Sequence, residues 1–157
     1  MKFTTAFPAF LATALAIPTP QTVNPRDDPQ YTETISISSF SVHEALTTSA
    51  NGSTVATPDG ADFLLTGHNA TDLSCSGSFS GGLPTEVIAC GDSPYSFALY
   101  PGATSGSFAL RLYHALGVAT GYYGEGEVPV YCHAGGGSAL SCAQVVTPVN
   151  ITIDSLP

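Results

Sequence analysis

No window of this chain carries three uninterrupted turns of helical periodicity, because 16 glycines and 12 prolines punctuate almost every stretch. What survives between them is period 2. Ile35 and Ile37 alternate with serines, then the phase slips by one to Phe40 and Val42, as a β-bulge at Ser38-Ser39 would require. TTSANGSTVATPDG reads as a long polar loop, ADFLLTGHN and DLSCSGSF as short strands, and PTEVIAC, PYSFALY and SFALRLYHAL as further ones. Tyr95, Phe97 and Leu99 share one face, as do Phe108, Leu110 and Leu112. Near the end, Val149, Ile151 and Ile153 fall on one side, with Asn150, Thr152 and Asp154 on the other. Short strands every ~8–12 residues with short connections predict an all-β, antiparallel sandwich or barrel.

The beginning of the chain reads differently. Residues 1–16, MKFTTAFPAFLATALA, join one lysine, a short apolar run and the small-residue pattern Ala14-Leu15-Ala16, which reads as a secretory signal peptide. The run is shorter than the ~20 residues a bilayer crossing needs. Residues 17–30 hold four prolines and no periodicity, a disordered leader with a trimming point near Arg26. Residues 31–157 then form a single domain, expected to be free and extracellular. Twelve acidic residues face three basic ones, and loss of Lys2 with the signal lowers the formal charge of -9 by one more unit. That balance argues against nucleic acid or an anionic membrane as partner, since both require clustered Lys and Arg. Three sequons, at Asn51, Asn69 and Asn150, agree with export and predict exposed, glycosylated positions.

Four cysteines, at 75, 90, 132 and 142, read as two disulfides in an oxidising compartment, with three connectivities that arithmetic alone does not separate. Nearest-neighbour pairing is preferred, because each pair would staple a strand-turn-strand tract whose glycines permit a hairpin. Zinc ribbons need C-x2-C spacing, and on a strand Cys132 and His133 point to opposite faces, so no metal site and no cofactor is expected. The glycines of HAGGG lack the Lys-Ser/Thr and helix of a phosphate loop.

YC-x-AGG followed by a cysteine, the Cys90-Gly91 pair before an aromatic alternating strand, and the opening ISISSFSVHEA together resemble the fungal secreted family named for the Alternaria major allergen. The resemblance spans roughly residues 31–156. It implies an antiparallel β-barrel or open sandwich, disulfides Cys75–Cys90 and Cys132–Cys142, and export from a filamentous fungus. It also implies a non-enzymatic recognition protein of effector, elicitor or allergen type that meets host plant extracellular proteins, and, as an alternative, a carrier of small aromatic, flavonoid-like ligands. Two positions depart from the family pattern: no cysteine precedes Cys75, so a covalent dimer has no residue to form it, leaving a monomer or non-covalent dimer; and His133 stands where arginine is frequent.

Residues with chemistry of their own are few. Glu125 and Glu127 in GYYGEGEVP, if on a strand, lie on one face ~6–7 Å apart, near the spacing of an inverting glycosidase pair, which makes a secreted hydrolase the least favoured reading. There is no G-x-S-x-G elbow, and His43, His68, His114 and His133 show no metal-binding spacing. Tyr122, Tyr123 and Tyr131 sit in a glycine-rich region where amphipathic rings can form a ligand- or partner-binding face.

Overall fold

The computed structural model describes residues 31–154, apart from 105, 119, 136 and 137. The expected signal peptide and leader lie outside these residues. The described chain consists of nine strands: β1 (Glu33–Thr48), β2 (Thr54–Gly67), β3 (Ala70–Ser78), β4 (Ile88–Ala89), β5 (Tyr95–Pro101), β6 (Ser107–Gly117), β7 (Thr120–Ala134), β8 (Ala139–Gln144) and β9 (Val149–Ile153). Every ladder is antiparallel, and the strand order is β3-β2-β1-β8-β7-β6-β5-β4, with β9 beside β1. The sheet curls into a nearly closed barrel.

Strand β1 organises the whole. Its first half pairs with β9 from Glu33 to Ile37 and its second half with β8 from Ser41 to Ala45, so two strands share one edge of β1 in succession. The junction between them is the expected bulge: the β1–β2 register shifts between Ser38 and Ser41, and Ser39 has φ 54°. The slip keeps Ile35, Ile37, Phe40 and Val42 all buried. It also leaves the Phe40 N–H without a ladder partner, and the Gln144 side chain supplies one. Gln144 Oε1 accepts from Phe40 N at 2.9 Å, while its Nε2 donates to the carbonyls of Ile37 and Val146. One amide thereby repairs the bulge and ties it to the end of β8.

The core is one cluster. Ile35, Ile37, Phe40 and Val42 of β1 meet Phe63 and Leu65 of β2, Phe97 and Leu99 of β5, Leu110 and Leu112 of β6, Val128 of β7, and Ile151 and Ile153 of β9. Strand β9 enters across the inner face of β7 because Gly124 and Gly126 occupy inward positions there. A Cβ on Gly126 would come within 2.7 Å of Ile151, and one on Gly124 would collide with the Thr152 carbonyl.

Two expectations about elements are corrected. TTSANGSTVATPDG is not a long loop: β1 and β2 run through it as a hairpin paired out to Thr48 and Thr54, turning at Asn51-Gly52 with Gly52 at φ 83°. Its polar composition reflects a largely exposed ribbon rather than missing backbone pairing. PTEVIAC forms only the two-residue strand β4, since Thr85 instead exchanges hydrogen bonds with the Leu99 backbone from a loop.

Both disulfides join the expected partners, Cys75–Cys90 and Cys132–Cys142. Only the second staples a hairpin: Cys132 and Cys142 are directly opposed in the β7–β8 ladder. The first does not, because β3 and β4 stand at the two ends of the strand order. Cys75–Cys90 therefore closes the barrel seam, with Ile88 packed so near Gly77 that a Cβ there would lie 2.6 Å from it.

Candidate functional site

Strand parity sorts the tyrosines. On β7, inward positions include Gly124, Gly126, Val128 and Val130, so Tyr122 belongs to the inner side, and Tyr123, Glu125, Glu127 and Tyr131 to the outer. The three tyrosines singled out by sequence therefore do not form one face. Tyr122 stacks on Tyr31 with ring centroids 4.4 Å apart. Tyr131 is 69% exposed and lies eight positions, ~26 Å, along the strand from Tyr123.

Tyr123 joins a different group. Arg111 on β6 pairs in register with Glu125, and its Nε and Nη2 donate to Glu125 Oε2 at 2.9 and 2.8 Å. Its guanidinium lies over the Tyr100 ring, 4.4 Å from the centroid, and over the Tyr123 ring at 5.6 Å, while Nη1 donates to Tyr100 Oη. Tyr113, opposite Tyr123 in the ladder, completes the set with a 6.1 Å ring separation. The hydrogen bonds to Glu125 push the Arg111 guanidinium above its ordinary value. The outer face of β5–β6–β7 is thus an aromatic platform around one fixed cation. Tyr100, Arg111 and Tyr113 were not singled out from sequence, although all three sit on the outward side of the expected strands.

At one end of the barrel the inner side carries a buried polar cluster, also missed. Glu33 and His114 are each 1% exposed, with Glu33 Oε2 2.6 Å from His114 Nδ1. Glu33 further accepts from Tyr31 Oη at 2.7 Å, Tyr95 Oη at 2.7 Å and the His68 N–H at 2.6 Å. Burial pushes its carboxyl up, but these donors outweigh burial and hold it at about 2. Burial beside that charge pushes Tyr95 up to about 12, and Tyr31 is raised by the same causes. Asn69 Nδ2 lies 3.2 Å from His114 Nε2, so the outer ring nitrogen is engaged as well. The signal was available in the pattern: Glu33 falls in phase with Ile35 and Ile37, and His114 with Leu110 and Leu112. Beside the cluster, Ser96, Tyr113, His114, Ala115, Thr120 and Tyr122 line an open cleft of ≈310 Å³.

Asn51, Asn69 and Asn150 are all exposed. Glu125 and Glu127 share the outer face of β7, but each is committed elsewhere. Glu125 holds Arg111, and Glu127 accepts from the Ala103 N–H at 2.7 Å and from the Ser107 hydroxyl. The cleft beside Tyr122 includes neither carboxylate among its lining residues. No helix of the described residues is long and apolar enough to cross a membrane.

Comparison with known proteins converges on one family. Residues 37–143 match the family model AltA1, Alternaria alternata allergen 1. The chain is 41% identical over 164 aligned residues to Effector protein PevD1 of Verticillium dahliae, covering 100% of this chain and 96% of that protein. Among solved structures, crystal structures of the Alternaria alternata major allergen Alt a 1 superpose with a TM-score of 0.56 at 22% identity. They cover 83% of this chain and 98% or 92% of theirs, which establishes the shared fold. The model match covers most of the barrel and the relative the whole chain: this protein belongs to the Alternaria alternata allergen 1 family.

Proposed function

We propose that this chain is an exported, non-enzymatic effector of the kind its 41%-identical relative is named for, acting by surface binding to extracellular proteins of a host plant. The observation that carries the reading is the platform of Tyr100, Arg111, Tyr113 and Tyr123. Tyrosine and arginine dominate binding hot spots because they offer large contact area with little entropy to lose. Here the Glu125 ion pair and the rigid strands fix the guanidinium before any partner arrives. The test is quantitative recovery of plant apoplastic proteins on the immobilised protein and on a Tyr100→Ala, Tyr123→Ala variant. The variant should lose at least one partner by about tenfold or more, which is ~1.4 kcal/mol. Equal recovery of every partner overturns the assignment of this face.

A second reading is favoured by the cleft beside Tyr122: a small aromatic ligand carried between Tyr113 and Tyr122 at the barrel mouth. Titration with a flavonoid-like phenol, followed by tyrosine fluorescence, should saturate at one equivalent and weaken in Tyr122→Leu. Unsaturable binding contradicts it. The secretory reading further predicts glycans on Asn51 and Asn150, which are both exposed. At Asn69 the acceptor nitrogen is already held by His114, so occupancy there should be lowest on peptide mapping.

A further inference from the structure

Strand β1 bears a second inward carboxylate, Glu44, at the end opposite Glu33, and its surroundings are chemically incomplete. Glu44 Oε2 lies 3.6 Å from Cys142 Sγ, and no other side-chain hydrogen bond engages it among the described residues. A disulfide sulfur has no proton, so this contact donates nothing while the bridge is intact; a thiol in the same place would donate. A Glu44 carboxylate oxygen and the sulfurs of Cys132 and Cys142 lie within 4.8 Å of one another. Among the described residues, no other group of three His, Cys, Asp or Glu ligand atoms meets that spacing.

We propose that Cys132, Cys142 and Glu44 form a redox-gated site for one zinc-class divalent cation, shut as a disulfide and opened by a thiol reductant of the glutathione class. Two equivalents of that thiol supply two electrons and two protons. The Cys132–Cys142 bond breaks, two thiols form, and the reductant leaves as its own disulfide. The cation then displaces both thiol protons to solvent, forms two metal–sulfur bonds and takes a Glu44 oxygen as third ligand, with water in the fourth position. Tetrahedral zinc sets its two sulfurs about 3.8 Å apart, a separation side-chain rotation can reach from directly opposed strand positions.

Three features make this corner differ from the seam disulfide. Cys132 is partly exposed, whereas Cys75, Cys90 and Cys142 are all fully buried, so Cys132 is the one cysteine of the four that offers surface to a reductant. Strand β8 is held on both sides, by β7 from Val130 to Ala134 and by β1 from Ser41 to Ala45, so the corner keeps its shape when the bridge opens. The third ligand is already in place on β1.

The test uses the full secreted protein, reduced with a phosphine until alkylation mapping shows Cys132 and Cys142 free and Cys75–Cys90 intact, then titrated with Co²⁺ and with Zn²⁺. Reduced protein should bind one Co²⁺ with thiolate-to-cobalt charge-transfer absorption, and oxidised protein none. Cys132→Ser should abolish the band, and Glu44→Gln, which leaves both disulfides intact, should weaken binding by about tenfold or more. The proposal is overturned if reduced wild type holds no more Co²⁺ than Cys132→Ser, if Glu44→Gln binds equally tightly, or if opening this pair alone abolishes the far-ultraviolet strand signal.

Discussion

Glu33 and Glu44 sit on the same strand, face the same interior and meet opposite fates. Glu33 is almost fully buried and surrounded by four donors, from His68, Tyr31, Tyr95 and His114, and its carboxyl is held down at about 2. Glu44 is only half-buried, yet burial raises its carboxyl, and among the described residues no side-chain donor offsets it. The depth of burial does not decide the sign of the shift; the count of donors does. One end of the barrel is consequently a finished electrostatic structure, and the other holds a carboxylate with no side-chain donor among the described residues.

That contrast fixes opposite pH dependences. A carboxyl depressed in the folded state stabilises the fold above the unfolded value near 4.5 and loses that contribution as pH falls toward about 2. For Glu33 the full shift corresponds to about 3 kcal/mol. A carboxyl raised in the folded state works the other way: Glu44 costs stability while ionised, and the cost is relieved as pH falls through its raised value. Acidification from neutrality should first leave stability level or slightly improved and then lower it steeply below about pH 4.5.

The largest expected effect comes from removing the finished end. Glu33→Ala strips one acceptor from four donors, two of them on buried side chains, and should cost about 3–5 kcal/mol in chemical denaturation at pH 7. A loss below 1 kcal/mol would erase the distinction between the ends. Next comes sulfur. The chain-entropy model assigns each bridge about 3 kcal/mol, and loops of 15 and 10 residues differ by less than about 0.5 kcal/mol. Topology separates them further, since Cys75–Cys90 joins strands with no ladder between them, whereas β7 and β8 stay paired without Cys132–Cys142. The Cys75→Ser, Cys90→Ser pair should therefore destabilise by at least about 1 kcal/mol more than Cys132→Ser, Cys142→Ser, measured as the difference in unfolding free energy. Gln144→Ala should cost about 2 kcal/mol, because it removes the acceptor of the Phe40 N–H at the bulge and the amide that ties Ile37 to the end of β8. Smallest is Glu44→Gln, expected within about 0.5 kcal/mol of wild type or slightly more stable at pH 7, with the difference vanishing as the pH drops.

The all-β architecture and the Ser38-Ser39 bulge were legible, because each rests on a local rule: breakers exclude helix, and a phase slip in Ile35-Ile37-Phe40-Val42 has one geometric meaning. That four exported cysteines form two bridges followed from their even count, whereas their partners came from the nearest-neighbour preference and the family resemblance. What the two bridges join was not legible, since seam and hairpin differ only in strand order, which Cys75 and Cys90 do not encode. The polar ribbon around Asn51 read as a loop because exposed strands lack an apolar face. Parity would have found Glu33 and His114 had it been applied to charged residues as strictly as to aliphatic ones. The tyrosines failed for the converse reason: adjacency in sequence put Tyr122 and Tyr123 together, and the pleat separates them.

The most direct measurement is a carboxyl-carbon NMR titration of both glutamates in the intact, oxidised protein. The Glu33 resonance should stay at its ionised position down to about pH 3 and begin to move only toward 2, while Glu44 reaches its midpoint above the ordinary glutamate value near 4.5. Two curves that coincide near 4.5, or that exchange places, would contradict the difference between the two ends of β1.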